Sequence, residues 1–487
     1  MSIIDELSEI VGKDNVKSGA DSTDYLVDQR KKIFGKALAV VKPGNTQEVA
    51  KVVKASIKHQ IAIIPQGGNS GLMGGATPDN SGNSIVLSLE RLNKIIGIDV
   101  ENNTITVGAG AILQNVQNVA RSNDRLFPLS FGAEKQSQIG GNLSTNAGGT
   151  RVLHYGNAKD LTLGIEVVTA EGEVWNGLRA LRKDNSGYNL RDIYIGSEGT
   201  LGIITAAVLK LFPQPKAQIT AFVAFKSVKK AVTFLGHARG KFGPGLTAYE
   251  LISADSLELV KKYRPDYVQP FEDETLDAEW YALIELSDFQ GKEHGNKLFF
   301  DLIEEGTAES LIEAAVIAHD QHQIDSFWAL RNNGIGDAQL KFNHFIVKHD
   351  VSVPTSRFPE FIHASLNEIK EKFPEAYPVI FGHLGDGNLH YNISLPFSGT
   401  AQAFQSKHDK VVKIIHDNVI SFEGSVCAEH GVGQVKVDQL LTYKSDVELD
   451  LFYRLKHVFD PKGLLNPGKV IPSINTFNAD NRQGLAS

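Results

Sequence analysis

The sequence predicts an α+β chain of 487 residues, with two folded domains and a short helical C-terminal segment. Three observations lead there. Strand-like runs dominate up to about residue 210, without the regular alternation of a doubly wound sheet. Strands and helices then alternate from 216 to about 420. Between the two stretches lies Phe212-Pro-Gln-Pro215, the best linker signal in the chain. The predicted domains are therefore 1–213, 214–420 and 421–487.

Composition narrows the classes. Hydrophobic residues make up 42% and charged residues 22%, enough to bury large cores and too apolar for a disordered chain. Lys plus Arg number 49 against 57 for Asp plus Glu, a net charge of −8. That balance argues against nucleic acid as the main partner, because phosphate binding needs a basic field. Cys427 is the only cysteine, so neither an internal disulfide nor a Cys-x-x-Cys site can form, which fits a reducing compartment. The acidic start Met1-Ser-Ile-Ile-Asp-Glu6 lacks a signal-peptide layout, and no apolar run reaches the ~20 residues of a spanning helix. The expectation is a soluble, cytoplasmic protein.

The elements follow in order. Ala37–Val41 reads as a buried strand, and Asn45 with Glu48 has capping-box spacing. Val49, Val52, Val53 and Ile57 then mark one helical face before a second buried strand at Ile61–Ile64. This βαβ opening predicts parallel strands. Ser84–Leu89 reads as a strand, and Ile95–Val100 and Thr104–Val107 flank Glu101-Asn-Asn as a hairpin. Leu163–Thr169 and Glu173–Trp175 flank another turn. Past the linker, strands are predicted at Ile219–Phe225, Tyr281–Leu286, Ile346–Val353 and Val379–His383, with a helix from Ser227.

Glycine is where function shows. Pro65-Gln-Gly-Gly-Asn-Ser-Gly-Leu-Met-Gly-Gly75 follows the second strand directly. Such loops let the backbone approach a ligand and turn successive N–H groups toward an anion. Gly68, Gly71 and Gly74 mimic a Rossmann fingerprint, but that fingerprint must open a helix, and this loop runs into a strand. Gln138–Gly149 and Gly196–Ile203 add two more clusters. Three strand-bounded loops in one domain point to a long cofactor laid across loop backbones, against the plainer reading of irregular connections.

A hairpin supplies the second constellation. Asp386-Gly387 is a type I′ turn signal. Centred there, a two-residue hairpin sets His383 opposite His390 with Cβ atoms ~5 Å apart, and Phe381 opposite Asn392. Two imidazoles so placed can share one divalent ion. Glu429-His430, flanked by Gly431 and Gly433, offers a carboxylate to complete a two-His-one-carboxylate set that suits zinc, manganese or iron. A cross-strand His pair on an ordinary surface is the plainer alternative.

Pro65–Gly75, Gly140–Gly156 and Gly196–Ile203 resemble the flavin loops of the vanillyl-alcohol oxidase (PCMH-type) FAD fold. His383-Leu-Gly-Asp-Gly-Asn-Leu-His390, Ala428-Glu-His-Gly-Val-Gly433 and Asn466-Pro-Gly-Lys469 resemble the metal-dependent D-2-hydroxyacid dehydrogenase branch, which acts on D-2-hydroxyglutarate, D-lactate or glycolate. The resemblance implies a two-subdomain FAD domain, a substrate domain, and a C-terminal segment that contributes to the active site and flavin contacts. It implies that Pro65, Gln66, Gly67, Gly68, Asn69, Ser70 and Gly71 cover the FAD pyrophosphate. Gly140, Gly141, Asn142, Ser144, Thr145, Asn146 and Gly149, with Glu198, Gly199, Gly202, Ile203 and Asn466, hold the rest of the cofactor. No His or Cys lies within Pro65–Gly75, so the FAD is expected to be non-covalent.

By the same resemblance, His383, His390 and Glu429 bind one divalent metal, zinc before manganese or iron, and His430 is the catalytic base. Arg331 of Trp328-Ala-Leu-Arg331, on a predicted helix, Lys348 before Asp-Val-Ser-Val-Pro, and Asn392 line the substrate pocket. Asn332 stands where the family commonly carries Glu, which puts the surroundings of Arg331 in question. The implied reaction oxidises a D-2-hydroxyacid to the 2-oxoacid by hydride transfer to flavin N5. Lys348 as a second cation favours D-2-hydroxyglutarate over D-lactate or glycolate. The expected electron acceptor is an electron-transfer flavoprotein, a quinone or a cytochrome, an oxygen-using oxidase of the same fold is the alternative, and the expected assembly is a homodimer.

Overall fold

A computed structural model describes residues 1–271, 276–342, 344–396 and 401–473. The tail of the predicted C-terminal segment, 474–487, lies outside the described residues. Cα packing divides the chain into two units. One comprises Met1–Gly148, Gly156–Pro213 and residues 430–473, and the other Gly149–Tyr155 and Gln214–Glu429. Each mixes helices and sheets, an α+β architecture.

In the first unit, Asn45 caps the helix Thr46–His59 by accepting the Glu48 N–H at 2.9 Å. The side chain satisfies one of the donors that a helix start leaves unpaired. Val49, Val52 and Val53 are fully buried against Ile63, Ile85 and Leu87. Burying each such side chain is worth ~1.5–3 kcal/mol, which fixes the helix on the sheet. The two strands around the helix, Ala39–Val41 and Ala62–Gln66, run parallel, but each pairs with Ser84–Ser88, which lies between them. A second sheet is wholly antiparallel, in the order Ile95–Asp99, Thr104–Gly108, Ile203–Lys210, Thr162–Val168 and Val174–Gly177. The C-terminal residues return to this unit. Ile63 donates its N–H to Leu464 O and accepts one from Asn466, each at 2.8 Å. The buried Lys456 ammonium reaches Thr200 O at 2.6 Å and Asp460 Oδ2 at 2.6 Å.

The second unit is built on an eight-stranded sheet, in the order Ala314–Ile317, Ala217–Phe225, Trp280–Asp288, Leu246–Ser253, Tyr377–His383, Asn388–Pro396 and His344–Val347, with Asp350–Ser352 also paired to Asn388–Pro396. The single strand predicted at Ile346–Val353 is therefore two short ones in the same register, interrupted at Lys348 and His349. On one face, Phe222, Ile252, Leu283 and Val379 pack with Phe327, Leu330, Ile335 and Ala338. Pairing runs straight across that face from Phe222 to Leu283, Glu250 and His383. One charged carboxylate thus sits in a buried apolar row.

Candidate active site

The hairpin register differs from the expected one. Phe381, not His383, stands opposite His390, and Asn392 stands opposite Val379. The strands stop at His383 and resume at Asn388, and the His383 carbonyl accepts N–H bonds from Asp386 and Gly387 at 3.2 and 3.1 Å. The connection is therefore longer than two residues. Gly387 takes φ 91°, a conformation that favours glycine. The shift is two residues, an even number, so the pleat keeps His383 on the face of His390. Their ring centroids are 5.6 Å apart.

Glu429 completes a donor group in the same unit. His383 Nε2 lies 3.9 Å and His390 Nε2 3.6 Å from its two carboxylate oxygens. One ligand atom from each of the three residues lies within 4.8 Å of the others. Asp350 Oδ2 accepts the Glu429 N–H at 3.0 Å, and Asp350 Oδ1 accepts the Asn388 amide at 2.9 Å, so the carboxylate rests on a fixed backbone. His383 Nδ1 is 2.7 Å from Glu250 Oε1, which turns its Nε2 toward the group. A carboxylate behind a ligating histidine is the usual second support of a metal site.

Charge points the same way. Burial opposes protonation of His383, but the Glu250 carboxylate outweighs it and raises the pKa to about 9. Burial lowers His390 to about 4, so its imidazole is neutral at neutral pH. Burial likewise works against ionised Glu250, yet His383 and Arg331 hold it below the usual carboxylate range. Two imidazoles and a carboxylate so placed can hold a divalent cation.

Arg331 does not sit in an ordinary helix. It lies in a π turn, Leu330–Gly334, that follows the helix Gln321–Ala329. Such turns redirect side chains and are frequent at functional sites. Its guanidinium is buried over the Phe381 ring, 4.8 Å from the centroid, with Nη2 2.6 Å from Glu250 Oε2. Its Nε and Nη2 complete no hydrogen bond among the described residues. Asn332 is exposed, so the carboxylate beside Arg331 comes from Glu250 instead. Asn392 is buried and donates to Gln339 Oε1 at 3.1 Å. Register carried between Val347↔Ile393 and Asp350↔His390 sets the exposed Lys348 opposite Asn392.

The glycine loops belong to the first unit, apart from Gly149 and the residues up to Tyr155. Pro65 and Gln66 end a strand, and the buried Gln66 amide donates to Tyr25 O and Ala76 O at 2.9 and 2.8 Å. Gly67 and Gly68 pack on the 136–141 segment, where a Cβ at Gly68 would come within 1.9 Å of Gln136 O. Asn69 donates to Val27 O at 2.8 Å, with Ser70 beside it. Gly140, Gly141 and Asn142 start the helix Ile139–Ser144, where Ser144 and Thr145 hydroxyls bond back to Gly140 and Gly141 carbonyls. Asn146 takes φ 48° and accepts the Lys159 N–H.

Several features fit a large ligand. A Cβ at Gly71 or Gly141 would meet nothing within 4 Å. Buried Gln138 Oε1, Asn142 Nδ2 and Asn466 Oδ1 have no hydrogen-bond partner among the described residues. Open space beside bare backbone, with orphaned amides nearby, is what a polar cofactor would fill.

Glu198 has another task. Both of its carboxylate oxygens accept backbone N–H groups, Val432 at 2.7 Å and Gly433 at 2.8 Å. It thereby holds the turn that follows His430. Gly433 takes φ 53°, and a Cβ there would lie 2.0 Å from Met73 O, so only glycine fits. Gly199 packs on Pro65, Gly202 leaves room for Tyr194, and Ile203 opens a buried strand. Asn466 bridges Gly75 O and Glu198 O at 2.9 and 2.7 Å.

Sequence reasoning missed Glu250 and Asp350. The signal for Glu250 was a lone charge in Leu246–Ser253, an eight-residue strand buried throughout, because such a charge must have a partner.

Comparison with known proteins adds to this geometry. Residues 214–470 match the family of FAD linked oxidases, C-terminal domain, and residues 37–177 match the FAD binding domain. A D-2-hydroxyglutarate dehydrogenase from Xanthomonas citri pv. viticola is 35% identical over 93% of this chain and 93% of its own. The mitochondrial D-2-hydroxyglutarate dehydrogenase of Arabidopsis thaliana is 34% identical over 95% of this chain and 80% of its own. Among solved structures, p-cresol methylhydroxylase with substrate bound matches the fold with a TM-score of 0.73 at 17% identity, covering 97% of each chain.

Proposed function

Because this chain belongs to the FAD-dependent D-2-hydroxyacid dehydrogenase family, we propose that it oxidises D-2-hydroxyglutarate to its 2-oxoacid with the help of a divalent metal. The observation that carries the metal half is the convergence of His383, His390 and Glu429 within 4.8 Å, with Glu250 behind His383. Two imidazoles, one carboxylate and open positions favour zinc over manganese or iron. Pro65–Gly71, Gly140–Gly149, Gly196–Ile203 and Asn466 would hold FAD without a covalent bond.

FAD, when bound, supplies a hydride acceptor at N5, and a divalent ion, when bound, supplies a Lewis acid that makes an alcohol proton easier to remove. The residues do the rest. Arg331, held by Glu250 through Nη2, offers its guanidinium to the C1 carboxylate. Lys348 meets the distal carboxylate, which lactate does not have, and Asn392 lines the same strand face. His430 takes the hydroxyl proton as general base. The substrate thus loses one proton and one hydride and leaves as the 2-oxoacid. In this reading the electrons pass on to an electron-transfer flavoprotein, a quinone or a cytochrome. In this reading the protein works as a homodimer, and its single cysteine fits the reducing cytoplasm.

Anaerobic mixing with a panel of D- and L-hydroxyacids tests the proposal. D-2-hydroxyglutarate should bleach the flavin absorbance fastest, ahead of D-lactate and glycolate, with the L-acids inert. Faster bleaching by D-lactate would move the assignment to a monoacid, and no bleaching by any D-acid would overturn it. Rapid reoxidation of the bleached flavin by air alone would favour an oxidase.

A further inference from the structure

We propose that Glu250 is a positioning residue that brackets the metal ligand His383 and the substrate-binding Arg331, with one carboxylate oxygen for each. This rests on the function proposed above and adds a residue to it. Glu250 is fully buried on a strand buried from end to end. Its backbone stands opposite His383, so the short reach from Oε1 to Nδ1, 2.7 Å, is built into the sheet. Oε2 faces Arg331 Nη2 at 2.6 Å. Arg331 in turn lies on Phe381, the residue opposite His390. One side chain therefore sets the aim of an imidazole and a guanidinium together.

The chemistry requires a carboxylate. With Nε2 facing the ion, His383 presents Nδ1–H, and Arg331 has only donors. Both partners therefore donate, and only a carboxylate accepts from both. Glutamine in the same shape offers one acceptor and turns an NH2 group on the other donor. Bracketed, His383 faces the ligand group and Arg331 keeps its Nε, which completes no hydrogen bond among the described residues, for a substrate.

The experiment uses full-length, FAD-loaded protein stripped of metal. Free Mn2+ is followed by its EPR signal during titration, which reports affinity without turnover. KM is then measured at saturating Mn2+ for whichever D-2-hydroxyacid bleaches the flavin fastest. Glu250→Gln should weaken Mn2+ binding about tenfold or more, the size of loss typical for such supports, and raise KM as well. Arg331→Met should raise KM and leave Mn2+ affinity near the wild-type value. A folded Glu250→Gln protein with either property unchanged overturns the shared bracket. Glu250→Asp keeps the buried charge and serves if the amide variant does not fold. One methylene shorter, it cannot span both contacts, so normal Mn2+ affinity together with normal KM overturns the proposal. Wild-type protein that binds Mn2+ no better than His383→Ala overturns the metal site itself. Wild-type binding that Glu250→Gln preserves overturns only the bracket.

Discussion

Gly141→Ala distinguishes a cofactor wall from an ordinary helical glycine. Gly141 lies inside Ile139–Ser144, and a Cβ there meets no atom within 4 Å. Alanine is better than glycine in a helix by ~0.5–1 kcal/mol. For a unit of this size that is ~1–4 °C of melting temperature, so the flavin-free variant should melt no lower than the wild type. If FAD lies against this backbone, the added methyl overpacks it at a cost of ~1–3 kcal/mol, which is ~5- to 150-fold in affinity. Flavin-free protein should be accessible by acid precipitation, because no His or Cys lies within Pro65–Gly75. A yellow pellet would instead reveal a covalent bond. FAD rebinding, read from the quenching of flavin fluorescence, then gives the affinity. An unchanged affinity in a variant of equal or higher stability would refute the assignment of Gly140–Gly149 to the cofactor.

His383→Ala and His390→Ala should each remove the metal and most turnover while FAD stays bound, because all three ligands lie in the second unit and the flavin loops in the first save for Gly149. Metal analysis alongside flavin absorbance checks this, and joint loss of both would make the hairpin a structural element. Lys348→Met should lower kcat/KM for the five-carbon diacid about 30-fold, the equivalent of ~2 kcal/mol for a lost charge pair, and touch D-lactate far less. Arg331→Met should damage both substrates, and equal losses in Lys348→Met would remove the distal-carboxylate role.

The sequence was most legible where chemistry is local. The glycine loops and the His383–His390 segment announce themselves within a dozen residues, and the cap at Asn45 needs only three. Geometry set by distant chain was not legible. The Asp386–Gly387 pair looks like a two-residue turn, but pairing of Tyr377–His383 with Leu246–Ser253 fixes where the strand ends. Glu250 is 133 residues from His383, and nothing local says that a lone acid in an apolar strand will meet that imidazole. Arg331 read as a pocket residue on an ordinary helix, and its π turn follows from tertiary packing rather than from the Trp-x-x-Arg spacing. The even slip of the hairpin explains why a wrong register still put both histidines on one face.

The first unit is closed by residues far along the chain, and this has a consequence for biosynthesis. A ribosome delivers every strand of the second unit before it delivers Lys456, Leu464 and Asn466, which complete the contacts to Thr200, Ile63 and Gly75. The nascent protein can therefore carry the whole sheet that bears the histidines while the glycine loops still lack these contacts. The order of synthesis thus lets His383, His390 and Glu429 come together before Lys456, Leu464 and Asn466 close the first unit.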